Sequence, residues 1–178
     1  MREDMGRVLV CYATGTGCTT GVAERIGETL ASRGARVDVV PFESNPDPAA
    51  YDAVVAGSGT RARSWHPVAK RWMTRNTSTL RAKPLALFTV CMAMATEPEN
   101  AHETLGVTDR LLAKTGLDPL DIGVFAGWYD PRKFNFFERK AMEMHKAPEG
   151  DFRDWTAIED WATRVAPRLV SARCAAVA

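Results

Sequence analysis

Thr14, Thr16 and Thr19 fall within six residues that also hold Gly15, Gly17 and Cys18. An apolar run, Val8-Leu9-Val10-Cys11-Tyr12, precedes them, and Val22, Ile26 and Leu30 follow at a spacing of four. Strand, glycine loop and helix in that order make a phosphate cradle, because loop amides and the positive end of the helix dipole converge on one point. The threonine hydroxyls would surround that point. The loop holds no lysine, so it relies on neutral donors, which suits a phosphate monoester held as an anchor better than one being transferred. Two other glycine-loop patterns compete. Gly15-x-Gly17-x-x-x-Gly21 is close to a dinucleotide fingerprint, with Asp38 at about the distance of a ribose-binding acid. That acid should end the second strand, however, and Asp38 falls mid-strand between Val37 and Val39. A Walker loop needs Gly-Lys-Ser/Thr, which does not occur. A bare βα turn is the plain alternative, and three hydroxyls in this context favour a ligand.

Other reactive residues are scattered. Cys11, Cys18, Cys91 and Cys174 show no CxxC spacing, and His66, His102 and His145 are in no ligand register, so no metal is expected. Reduced thiols and polar residues 1–6 directly before the first strand give the expectation of a cytoplasmic chain without a signal peptide. The net charge of +1 excludes a strongly acidic electron-carrier surface and gives no nucleic-acid signature. Basic residues cluster locally, at Arg61 and Arg63, at Lys70, Arg71 and Arg75, and at Arg132, Lys133, Arg139 and Lys140. Such clusters are usually solvated faces, so their location decides their meaning.

The elements that must position these residues alternate along the 178 residues. Strands are expected at about Arg7–Tyr12, Arg36–Val40, Ala53–Gly57, Leu85–Val90 and Ile122–Phe125. The first helix runs from near Thr20 to Arg33, with Gly34 as a left-handed stop. His66-Pro67 opens a second helix with Val68, Ala69, Trp72 and Met73 inward. A third carries Ala101, Leu105, Thr108 and Leu112 on one stripe and ends at Gly116. The last begins with a capping box, Thr156-x-x-Glu159, and buries Ile158, Trp161, Val165 and Leu169, with Pro167 expected to kink or end it. The tail after Ser171 is expected to fray. Alternating βα units imply one doubly wound α/β domain over 1–178, a five-stranded parallel sheet of order 2-1-3-4-5 between two helical layers.

Ligands of such sheets bind beyond the carboxyl ends of the strands, at the switch point. Besides the threonine loop, two loops are expected there: Ser58 to His66, and Thr89 to Met94. A phosphate in the first would place an attached ring system between the other two. Backbone at Gly59 and Thr60 could meet its polar edge, with Trp65 or the Met92 region over a face. Trp65 reads nearly as well as a helix-entry residue packed on its own domain, and Met92 and Met94 equally as core fillers.

Thr14-x-Thr16-Gly17-x-Thr19 after the first strand resembles the FMN-phosphate loop of flavodoxins, and the order of elements over about 7–172 looks like their fold. Within that fold the chain is most similar to the menaquinone-dependent protoporphyrinogen IX dehydrogenases of bacteria. Tyr12-Ala13-Thr14, Val54 to Arg61, Ala126 to Arg132, an aromatic and basic insertion at about 128–150, and Glu149 to Trp155 carry that likeness. Two positions depart from the pattern: Ala13 stands where a hydroxyl residue is common, and Gly15-Thr16 replaces a more polar or charged pair. The resemblance implies FMN as cofactor, held by Thr14, Gly15, Thr16, Gly17, Cys18 and Thr19, with Ser58, Gly59, Thr60, Arg61, Trp65, Val90, Cys91 and Met92 around its rings. It implies a tetrapyrrole or quinone substrate, with Arg61, Arg63, Arg132 and Lys133 as candidates to pair with substrate carboxylates.

Residues 131–146 carry five Lys/Arg against two Glu. On a helical wheel Phe134, Phe137, Ala141 and Met144 share one arc, and Phe136 points into the charged sector. Three readings stay open: peripheral contact with the inner face of the cell membrane, where a quinone dissolves, a grip on an anionic macrocycle, or a lid over the flavin with Phe136 at a homodimer contact. The expected activity is FMN-dependent oxidation of protoporphyrinogen IX with a quinone acceptor. A flavodoxin-type electron carrier and an NAD(P)H:quinone reductase are the alternatives. No acid/base residue is compelling, His66 being as readily a helix start.

Overall fold

The computed structural model describes residues 6–96, 101–144 and 148–170. Its strands are β1 (Arg7–Ala13), β2 (Arg36–Pro41), β3 (Ala53–Arg61), β4 (Ser64–Trp65), β5 (Leu85–Cys91), β6 (Ile122–Ala126), β7 (Trp128–Tyr129) and β8 (Gly150–Asp151). Its helices are α1 (Cys18–Ser32), α2 (Pro67–Arg75), α3 (Thr77–Arg81), α4 (Ala93–Thr96), α5 (Ala101–Thr115), α6 (Phe136–Met144) and α7 (Trp155–Val170).

β1, β3 and β5 read as near-continuous apolar runs because both faces of a central parallel strand are covered. The order is β2-β1-β3-β5-β6, all parallel, which is the expected five-stranded arrangement. Alternate side chains feed two cores. Val8, Val10, Val55 and Phe88 pack under α1 and α7, while Leu9, Cys11, Val54 and Leu87 pack under α2 and α5. Phe88 is fully enclosed and lies against Gly57, where any Cβ would come within 2.2 Å of its ring. Truncating such a ring to alanine costs about 3–5 kcal/mol.

The structure departs from the sequence reading where strands end and helices begin. β3 continues four residues past Gly57 to Arg61. It turns at Ala62 and Arg63, both at positive φ (48° and 55°), and returns as antiparallel β4, with Thr60 opposite Trp65. The stretch 58–66 is therefore strand and hairpin, not open loop. Asp154, not Thr156, caps α7, its Oδ1 accepting from the Ala157 N–H at 2.9 Å. Glu159 instead meets Arg25 at 2.5 Å and ties α7 to α1. α7 runs on through Pro167 to Val170. α5 turns Val107, Thr108, Leu111 and Thr115 inward, a face rotated from the expected stripe, with Leu112 at its margin. His145 and the tail after Ser171 lie outside the described residues.

Candidate functional site

β1 delivers the chain to the carboxyl edge of the sheet, and residues 14–17 turn it into α1. Gly17 caps that helix at φ 89°, a left-handed conformation that favours glycine. No side chain caps the helix and no acid stands in its first turn, so the first-turn amides of a 15-residue helix and its dipole face an approaching anion. Thr14 Oγ1 accepts from the Gly17 N–H at 2.9 Å, and Thr16 Oγ1 accepts from the Trp128 indole N–H at 3.4 Å. Each hydroxyl thus receives a protein proton and keeps its own to give to an anion. The Arg61 guanidinium overhangs the loop: a Cβ on Gly15 would stand 2.7 Å from its Nη2. This donor set fits a phosphate monoester.

Thr19 lies deeper than Thr14 and Thr16. It is 1% exposed, its hydroxyl packed where a Cβ on Gly59 would approach to 2.9 Å. It sits in the first turn of α1 against β3, between the loop and the Gly59 rim. Cys18 is buried too, its Sγ accepting from the Trp128 N–H at 3.2 Å. Burial pushes that thiol up, with the Trp128 N–H and the Arg153 charge opposing, so it is a neutral packing group at neutral pH.

The second segment is also partly inward. Ser58 is fully buried, donating to Gly59 O at 2.8 Å and accepting from the His66 N–H at 3.0 Å. Trp65 is 1% exposed and its indole donates to Thr89 Oγ1 at 3.0 Å, which in turn meets Thr108 Oγ1 at 2.9 Å. With its ring in the core beneath α5, Trp65 packs on its own domain, and the packing reading holds. Gly59, Thr60 and Arg61 remain at the rim, Thr60 reaching Val90 O at 3.5 Å. Val90 is buried, and Cys91 and Met92 are half-buried beside Gly127, where a Cβ would stand 3.3 Å from Val90 and 3.8 Å from Met92 Sδ. His66 Nδ1 is buried without a hydrogen-bond partner, and the residue serves as N-cap of α2.

A strap from the far edge of the sheet closes the other side of the cradle. β7 and β8 pair, Trp128 opposite Asp151, and Phe152 N–H donates to Gly127 O at 3.1 Å. Trp128 lies against Gly17, where a Cβ would be 3.8 Å from its ring. Arg153 is stacked between two indoles, its Cζ 4.6 Å from the Trp128 ring centre and 4.4 Å from that of Trp155. It grips Asp151 through two nitrogens, at 2.8 and 2.5 Å, and reaches Cys18 O at 3.4 Å. The Arg153 bonds hold the Asp151 carboxyl below the usual carboxylate range, burial opposing, and the same pair raises the guanidinium. Sequence reasoning noted these two segments without giving Trp128, Asp151, Arg153 or Trp155 a role. Two short aromatic and charged segments flanking one insertion were the available signal.

The expected substrate cations separate. Arg61 stands at the cradle, and Lys133 Nζ lies 5.3 Å from the Trp128 ring centre. Arg132 is already paired with Asp130 at 2.9 Å and is 89% exposed. Arg63 sits on the hairpin turn and lines a groove against α2 and α5. Asp38 bonds Arg7 at 3.0 Å on the outer strand, away from the loop, so it contacts no ribose. Among the described residues no group of three or more His, Cys, Asp or Glu could hold a metal ion, and no described helix is long and apolar enough to cross a membrane.

Residues 9–156 match the flavodoxin domain. The chain belongs to the flavodoxin-domain family. As a flavodoxin domain it binds FMN, and the cradle described above fits the phosphate of that cofactor. A protein of Leishmania major named protoporphyrinogen IX dehydrogenase [quinone] is 28% identical over 177 residues, covering 92% of this chain and 76% of that protein. Among solved structures, an archaeal flavodoxin superposes with a TM-score of 0.57 at 15% identity, over 92% of this chain and 98% of that one. Oxidised Flavodoxin 2 from Bacillus cereus gives 0.59 at 19% identity, over 91% and 99%. At those identities the structural likeness establishes the flavodoxin fold.

Proposed function

We propose that this flavodoxin domain is an FMN-dependent oxidoreductase that oxidises protoporphyrinogen IX and passes the electrons to a quinone. The supporting observation is the relative of that name, whose likeness covers 92% of the chain. Bound FMN supplies the redox chemistry, accepting electrons in pairs and releasing them singly or in pairs. The protein positions and screens. Thr14 and Thr16 donate to the phosphate, the α1 amides and Arg61 neutralise it, and Gly59, Thr60, Arg61 and Val90-Cys91-Met92 border the rings. Arg61 and Lys133 pair with the substrate's carboxylates. Arg132 takes no part because Asp130 already satisfies it, and Arg63 takes none because it faces another groove.

The insertion delivers the acceptor. α6 shows Phe136, Phe137 and Met144 at 62%, 82% and 78% exposure, with Arg139 and Lys140 also exposed. Phe134 lies before the helix and packs edge-on against Tyr129, 5.2 Å between ring centres, so it leaves the predicted apolar arc. An exposed aromatic pair among cations fits the interfacial zone of a membrane, so we place the enzyme at the inner face of the cell membrane, with the same patch in a homodimer as the competing use. Anaerobic mixing of the FMN-loaded protein with protoporphyrinogen, NADPH and a menaquinone analogue, each separately, tests the reading. Bleaching of the flavin band by protoporphyrinogen, and its return with the quinone, is expected. Reduction by NADPH alone, or exchange only with a reduced ferredoxin-type protein, contradicts it.

A further inference from the structure

The α2 and α5 helices lie side by side on one face of the sheet, and a groove of about 620 Å³ runs between them. Its walls carry Arg63, Lys70, Arg71 and Arg75 from the hairpin and α2, and Arg110 and Lys114 from α5. Among the described residues no carboxylate lines it. Seams between neighbouring surface helices normally alternate in charge, because like charges facing each other repel. Here Lys70, Arg71 and Arg75 of α2 face Arg110 and Lys114 of α5 across an apolar floor of Val107 and Leu111, both buried. Two of them have neutral hydrogen-bond partners: Lys70 donates to Ser64 Oγ at 2.8 Å, and Arg75 donates to Asn45 Oδ1. Those contacts orient the side chains and leave their charge uncompensated.

We propose that this groove binds a soluble linear oligophosphate, an anion of three or more linked phosphates. Three of these five cations are arginines, whose planar forks match phosphate oxygens two at a time. Lys70, Arg71 and Arg75 spread over about 8 Å of α2 opposite Arg110 and Lys114 on α5, an arrangement suited to a chain of charges more than to one. The Thr74 hydroxyl adds a neutral donor. The concavity matches a ligand of this size and is not a shape that a flat lipid surface fills. The site lies apart from the cradle, and Arg61 is not among its lining residues, so this inference stands whether or not the proposed substrate is correct.

Calorimetry on the full FMN-loaded chain tests it with sodium tripolyphosphate and orthophosphate as probes. Saturable one-to-one binding of tripolyphosphate, at least tenfold tighter than orthophosphate, is expected. Arg71→Gln with Arg110→Gln should weaken it at least tenfold while the flavin absorbance and the melting transition stay in place. If that double variant fails to fold, Arg110→Gln alone must still lower the affinity. Absence of saturable binding overturns the proposal, as does undiminished binding by the variants. Capture by phosphatidylglycerol vesicles that tripolyphosphate does not compete away would assign the face to a membrane and overturn it too.

Discussion

The two ends of the 128–153 insertion are built in opposite ways. At its base, Trp128, Asp151, Arg153 and Trp155 interlock by stacking, a double ion-pair contact and main-chain pairing, and press on Gly17 and Cys18. At its tip, Phe136 and Phe137 meet each other, 5.7 Å between ring centres, and are otherwise exposed. Covering both rings would remove apolar surface from water at about 25 cal/mol per Å². The aromatics of the base are interlocked beside the start of α1, and those of the tip stay exposed. The insertion is thus a fixed stem with an open end.

Breaking the stem has the largest expected effect. Arg153→Met removes the cation between the two indoles and leaves Asp151 without its partner. A loss of about 2–3 kcal/mol is expected, seen as a fall of about 4–12 °C in Tm together with faster FMN release. An unchanged Tm would show that the stacking is ornamental. In the cradle, Thr14→Val should weaken FMN binding by about 10- to 100-fold, from about 1.5–3 kcal/mol for a hydrogen bond to a charged group. Thr19→Val, enclosed beside Gly59, should lower Tm instead and change FMN affinity less. Equal effects of the two on affinity would refute the division between them.

The tip should respond in function only. Phe136→Ser with Phe137→Ser should keep stability within about 0.5 kcal/mol by chemical denaturation, since both rings are exposed. Turnover with a vesicle-borne quinone should fall while a water-soluble analogue is reduced normally. Smallest is the acid response of the stem. Asp151 has a folded pKa below its unfolded one, so its stabilisation is present above the unfolded value of about 4 and is lost as pH falls through the depressed value. The Tm difference between the native protein and Asp151→Asn should be constant above about pH 5 and shrink below about pH 4. A difference independent of pH would remove the ion pair from the account.

The order of the sheet was legible because apolar runs, glycine stops and βα alternation are local signals. The cradle was legible for the same reason, being six consecutive residues between a strand and a helix. What escaped was non-local. Ser58-Gly59-Thr60-Arg61 is small and polar and reads as loop, yet it extends β3. The hairpin that follows places Ala62 and Arg63 at positive φ without the glycine or asparagine that usually announces such a turn. The burial of Trp65 depends on Thr89, 24 residues away, and the stacking of Arg153 on Trp128 spans a whole inserted helix. No periodicity connects such partners.

The central claim is that the Thr14–Gly17 loop and the start of α1 hold a phosphate, and the direct measurement is affinity of the flavin-free protein for FMN against riboflavin, which lacks that phosphate. The account predicts that riboflavin binds at least 100-fold more weakly, about 2.7 kcal/mol, and that Thr14→Val narrows the gap. Equal affinity for the two flavins would contradict it.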